Sequence, residues 1–199
     1  MSTYNVISAV GETLRQLLLN EMKSDSAVFG NAGILKSEDQ ITLNHPYKLI
    51  GDGDPQANAL SMFLYRIVED ADEKNRRPYP AGPTTYQYPP LPLHLFYLVT
   101  PITNSADNNH KLMGKVLEIM FDHAVLRGSD LQGDLKGSQE ELRLILNPIS
   151  LEDITKLWSA IMRPYQLSVS YEVKVVRIDS NRTTQKQPVY EKQSEFQQI

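Results

Sequence analysis

Apolar residues recur along this chain with two different periods, and the switch between them is sharpest from Glu141 to Asp179. Leu142, Leu144 and Leu146 alternate with Glu141, Arg143 and Ile145, the period-two pattern of a strand. Asn147-Pro148 breaks it, and Ser150 follows as a helix N-cap, with Glu152 and Asp153 in the first turn where carboxylates suit the helix dipole. Ile154, Leu157, Trp158 and Ile161 fall at helical spacing until Pro164 stops the helix. From Tyr165 the period returns to two. Leu167, Val169, Tyr171, Val173 and Val175 take one face, and Gln166, Ser168, Ser170, Glu172 and Lys174 the other. Val176 and Ile178 are out of phase with that apolar face, so the strand is expected to twist or bulge past its own core. An edge of that kind must be covered or pair with another chain.

The same reading extends toward the N-terminus. Val6, Val10, Leu14, Leu17 and Leu18 make one stripe, which predicts an amphipathic helix from Tyr4 to about Met22. Residues 24–53 read as short extended pieces punctuated by Gly and Asn. Ala59–Val68 and Leu93–Thr100 are near-continuous apolar runs and predict two buried central strands. Leu112, Val116, Leu117, Met120 and Ala124 predict a helix from Lys111 to about Leu126, with Gly114 inside it implying a close packing contact. Arg127–Glu140, with three glycines, reads as a mobile loop. The elements sum to an α/β (α+β) fold, a mixed sheet covered mainly on one side by about three helices. Residues 1–180 form one domain in this reading, and 181–199 a polar C-terminal extension.

Composition narrows the function. With 199 residues, 41% of them hydrophobic, the chain can bury a full core. A net charge of −4 argues against sequence-independent binding to nucleic acid, which needs a basic surface. The absence of cysteine excludes disulfides, thiolate metal sites and cysteine nucleophiles, and fits a cytoplasmic origin. No apolar run approaches the ~20 residues that span a bilayer, so no direct membrane insertion is expected. No secretory leader is visible either.

No catalytic constellation emerges. His45, His94, His110 and His123 share no i, i+4 helical spacing, and Asp122-His123 has no nucleophile motif beside it. Gly51-Asp52-Gly53-Asp54-Pro55 lacks the later ligands of a calcium loop and the third glycine of a nucleotide loop. The expectation is a binding or structural protein with no metal and no cofactor. An enzyme of unknown type is the alternative from a different class.

Two segments stand out as candidate partner surfaces. Pro78, Pro80, Pro83, Pro89, Pro90 and Pro92 are half of the twelve prolines and are interleaved with Tyr79, Tyr86 and Tyr88. This predicts an irregular or polyproline-like loop, because proline supplies no ladder amide. Its tyrosines suit a protein interface, or they pack as a rigid connector on their own domain. The other segment is the end of the last strand, Lys174, Val176 and Ile178, together with the tail patch Val189-Tyr190.

Three blocks of residues carry a family resemblance. The first is Ala59-Leu-Ser-Met-Phe-Leu-Tyr-Arg-Ile-Val68 with Glu69 and Asn75-Arg76, and the second is Pro90–Thr100 running into Leu112-Met-Gly114 and Asp122-His123. The third comprises Leu142–Leu146, Trp158-Ser159, Tyr165–Ser168 and Tyr171-Glu-Val173. In this order and spacing they resemble the cap, or tail-terminator, proteins of phage-tail-like contractile injection systems of the antifeeding-prophage and virulence-cassette type. The resemblance runs to about Asp179; longer members continue beyond the length found here. It implies a phage tail-terminator-like fold and a non-enzymatic protein assembled in the cytoplasm. That protein would close as a ring, a hexamer, on the last layer of the inner tube and engage the last sheath ring. It further implies length control and sheath contact by strand exchange, for which Lys174–Ile178 and Gln187–Lys192 are the candidates. A neck or tail-completion connector of a contractile-tailed phage is the alternative of similar class, paired with a portal and head instead.

Overall fold

A computed structural model of the chain describes residues 4–50, 57–74 and 76–185. Its centre is a six-stranded sheet in the order β1-β2-β5-β8-β7-β6. These strands are β1 (Ile41–Thr42), β2 (Ala59–Glu69), β5 (Leu91–Ile102), β8 (Val169–Ile178), β7 (Glu141–Asn147) and β6 (Val125–Arg127). β1 runs parallel to β2 and every other neighbouring pair is antiparallel, so the sheet is mixed. The two apolar runs are the central β2 and β5, as their composition predicts. β5 is longer than the run itself and takes in Pro92 and Pro101.

Helices lie on both faces of this sheet, which corrects the expectation of cover mainly on one side. α1 (Val6–Lys23) and α3 (Ala106–Asp122) bury Val10, Leu14, Leu112 and Val116 against Leu95, Tyr97, Val99 and Val173. Burial holds the Tyr97 hydroxyl proton well above its usual range. On the other face α4 (Leu151–Ile161) buries Ile154, Trp158 and Ile161 against Leu98 and Ile102, joined by Ile50 beyond the short α2 (Pro46–Leu49). The alternation along β5 explains the split, because odd-numbered residues from Leu95 to Val99 face one layer and Leu98 and Ile102 the other. Trp158 is buried and its Nε1–H donates to Ser168 Oγ at 3.0 Å, which satisfies the indole inside an apolar layer. Ser150 caps α4 as predicted, its Oγ accepting from the Asp153 amide at 3.1 Å.

Three further differences from the pattern have physical causes. α3 starts at Ala106, earlier than the apolar stripe suggests, because the Ser105 side chain caps it. It also ends sooner, and Val125–Arg127 turns away to pair with β7. The glycine-rich stretch after Arg127 is folded against α1: Leu131 and Leu135 are buried, and the Gln132 amide donates to Thr13 Oγ1 at 3.0 Å. Finally, the Pro/Tyr segment forms strands. β3 (Tyr79–Pro80) and β4 (Thr85–Gln87) make a hairpin, and β9 (Thr183–Gln185) adds to β4, so the small sheet runs β3-β4-β9. The first residues of the polar extension therefore belong to the folded unit.

Candidate interaction surfaces

The Pro/Tyr segment and the end of β8 meet in one place. A cleft of about 490 Å³ lies between the small sheet and the adjoining end of the large one, lined by Glu69, Lys74, Tyr88, Leu91, Ile178 and Arg182 among others. Arg182 builds its outer wall. The guanidinium sits 4.4 Å from the centroid of the Tyr88 ring, and its backbone carbonyl accepts from the Tyr88 amide at 3.1 Å. Gln87 adds a side-chain bond to the Ser180 carbonyl at 2.9 Å, so the chain leaving β8 is tied to the hairpin along its length.

Charged groups are linked next to this cleft, with Glu73 common to both. Arg177 reaches Glu73 at 3.3 Å and Glu140 at 3.5 Å, and the hydrogen bonds it donates to Glu73 push the guanidinium pKa up. His94, one strand across, presents Nε2 to Asp70 at 3.0 Å and Nδ1 to Glu172 at 2.8 Å. The Asp72 amide, and after it His94, holds the Asp70 carboxyl below the usual carboxylate range. The ring stands between the two carboxylates and bridges the 70–74 turn to β8. Among the described residues no group of three or more His, Asp or Glu is arranged to hold a metal ion, and no helix is long and apolar enough to cross a membrane.

This arrangement of a mixed sheet, helices on both faces and a small sheet closed by the C-terminal strand can be set beside known proteins. Residues 9–192 match the Pvc16 N-terminal domain family. The chain belongs to that family. Two solved structures share the fold of this Pvc16 N-terminal domain protein. One is the sheath/tube terminator of the extracellular contractile injection system PVC in its extended state, with a TM-score of 0.63 and 18% identity, covering 100% of this chain and 65% of that one. The other is the tube-terminating cap of the anti-feeding prophage, with a TM-score of 0.59 and 18% identity, covering 98% of this chain and 62% of that one. The chain thus spans just under two thirds of the length of these structural relatives. No curated protein sequence matches it. The resemblance read from the three residue blocks, and the terminator-like fold class it implied, are both borne out.

The partner-surface residues expected in the Pvc16-type chain divide into three sets. Tyr79 lies exposed on β3, Tyr86 is half-buried on β4 and Tyr88 is half-buried beside Arg182. Lys174 is half-exposed, 3.8 Å from Glu172, and Ile178 packs its side chain against the core margin while pairing with Leu91. Val176 goes inward. Between Leu93 and Leu95 of β5, β8 steps three residues, Val173 to Val176, and this bulge rotates Val176 into the core at 1% exposure. The bulge was expected; its effect is to restore the core, not to outrun it. The side chain of Val175 lies outside the described residues, as do Val189, Tyr190, Asn75 and the segment 51–55.

Two surface features escaped the sequence reading. One is an apolar hollow of about 420 Å³ lined by Leu117, Met120, Phe121, Leu144, Leu146 and Tyr171. Phe121 and Leu146 are 82% and 51% exposed there. The other is the end of α4, where Met162 takes the left-handed conformation (φ 60°) and is 75% exposed. Leu146 reads as a core position from its alternation with Leu142 and Leu144. Only the early stop of α3 shows that nothing covers it.

Proposed function

We propose that this chain is the terminator cap of a contractile injection particle. It closes as a six-membered ring on the far end of the inner tube, engages the last ring of the sheath, and so fixes the length of both. The observation that carries this reading is the extent of the match: the fold of a sheath/tube terminator covers 100% of the chain. The role is structural and assigns no catalytic centre. Partners are further copies of the chain, the tube protein and the sheath protein, with assembly in the cytoplasm before any release of the particle.

Sheath engagement is assigned to the small-sheet end of the molecule. There β3 and β9 are outer strands, and an outer strand can accept another strand through its unpaired amides and carbonyls. Of the candidate stretch Lys174–Ile178, Ile178 lines the same cleft, and in sequence the chain runs on from β9 to Gln187–Lys192. A cut after Ser180 would also remove β9, so the informative truncation follows Gln185. Mixed with purified tubes and with sheathed particles, that variant is expected to cap tubes and to lose sheath. Normal capping of sheathed particles by the truncated chain would overturn the assignment of the tail.

A further inference from the structure

The apolar hollow and the Met162 turn lie on opposite flanks of the same sheet. The hollow is bounded by the C-terminal half of α3 and the end of β7, the second-last strand on that side. The Leu144 amide donates to the Ala124 carbonyl at 2.8 Å, which places the polar groups of even-numbered β7 residues on the β6 side. β6 pairs only as far as Arg143, so the next such residue, Leu146, has no strand beside it. The Met162 turn lies toward the other margin. Arg163 stacks 4.4 Å from the Tyr47 ring of α2, which borders β2, and Tyr165 leans edge-on against Trp158 at 6.4 Å. From β1 to β7 is four strand spacings, about 19 Å.

The two patches differ in the charge around them. One is an apolar hollow whose lining includes the exposed Glu118, ion-paired with Lys115 at 3.1 Å, and the exposed Asp122 follows Phe121 in the chain. The other presents Met162 and Tyr165, 75% and 49% exposed, with Arg163 next to Met162 in the chain and the exposed Lys48 next to the Tyr47 ring on which Arg163 stacks. A ring built from one kind of subunit needs two different matching patches on opposite flanks, because a self-matching patch would stop at a dimer. A methionine held in a strained left-handed turn and turned outward is also an adaptable apolar plug. We propose that Met162 and Tyr165 of one subunit seat in the Phe121–Leu146 hollow of the next copy of this chain. The inference rests on the ring reading given above and names the surface that would close it.

The chain has no cysteine, so cross-linking can be made specific without background. Full-length protein carrying Phe121→Cys and Met162→Cys, treated with a short bismaleimide on tube ends, is expected to give a ladder of covalent oligomers up to the closed ring. Either single-cysteine variant should give none. Both positions are strongly exposed in the subunit, so Phe121→Glu and Met162→Glu should melt like the parent chain. Each should associate at least about tenfold more weakly, as expected for a central apolar anchor. Rings that form without cross-links and tolerate both charges would overturn this interface and leave the ring reading intact. A chain that forms no ring even on tube ends would overturn the ring reading and this interface with it.

Discussion

Individual side chains and glycines carry contacts that spacing alone does not reveal. Gly114 sits within α3, where its position suggested a close contact, yet a Cβ there would meet nothing within 4 Å. Gly114→Ala is therefore expected to stabilise the fold by about 1 kcal/mol through helix propensity, measured by chemical denaturation. The tight glycine is Gly33, where a Cβ would fall 2.6–2.8 Å from the Phe29 backbone. Gly33→Ala should cost about 1–3 kcal/mol in the same assay. Both glycines look alike in the sequence, because what separates them is a neighbour brought in by folding. Asp70 offers a pH test. Its folded pKa is depressed, first by the Asp72 amide and then by His94, so its contribution is present above the ordinary carboxylate value of about 4 and is lost as pH falls through the folded value. Asp70→Asn should flatten the acid limb of stability measured from pH 5 to pH 2, and an unchanged limb would count against a depressed Asp70 carboxyl.

At the scale of elements, periodicity was most legible where one strand or helix faces one core. The central β2 and β5, the capped α4 and the long β8 all follow from alternation and capping residues read locally. What stayed hidden depends on pairing at a distance. β6 takes Val125 and Leu126 from the expected end of α3 because β7 offers them an edge, and β9 is polar in composition yet is held by β4. The layer to which α4 belongs was also illegible, since an apolar stripe does not say which face of a sheet it meets. Removing residues after Ser180 tests the role of β9 directly. Hydrogen exchange should then quicken for the Thr85–Gln87 amides that face β9 while β5 stays protected. Unchanged exchange at β4 would show that the hairpin holds without its third strand.

Taken whole, the molecule is a sheet covered on both faces, with its apolar hollow and its Met162 turn on opposite margins and a small extendable sheet at one end. That layout suits a subunit that touches like neighbours along its flanks and unlike partners above and below. Family membership was legible from three residue blocks whose order survives along the chain, whereas the flank surfaces were not, because they join residues from α3, β7 and α4. Particle length is the property that a terminator fixes. Tubes and sheaths should be imaged from cells with the intact gene and from cells lacking it. Loss of the protein is predicted to give tubes of scattered length whose far ends carry no ring, with sheath missing or detached there. Particles of one uniform, normal length in its absence would contradict the central claim.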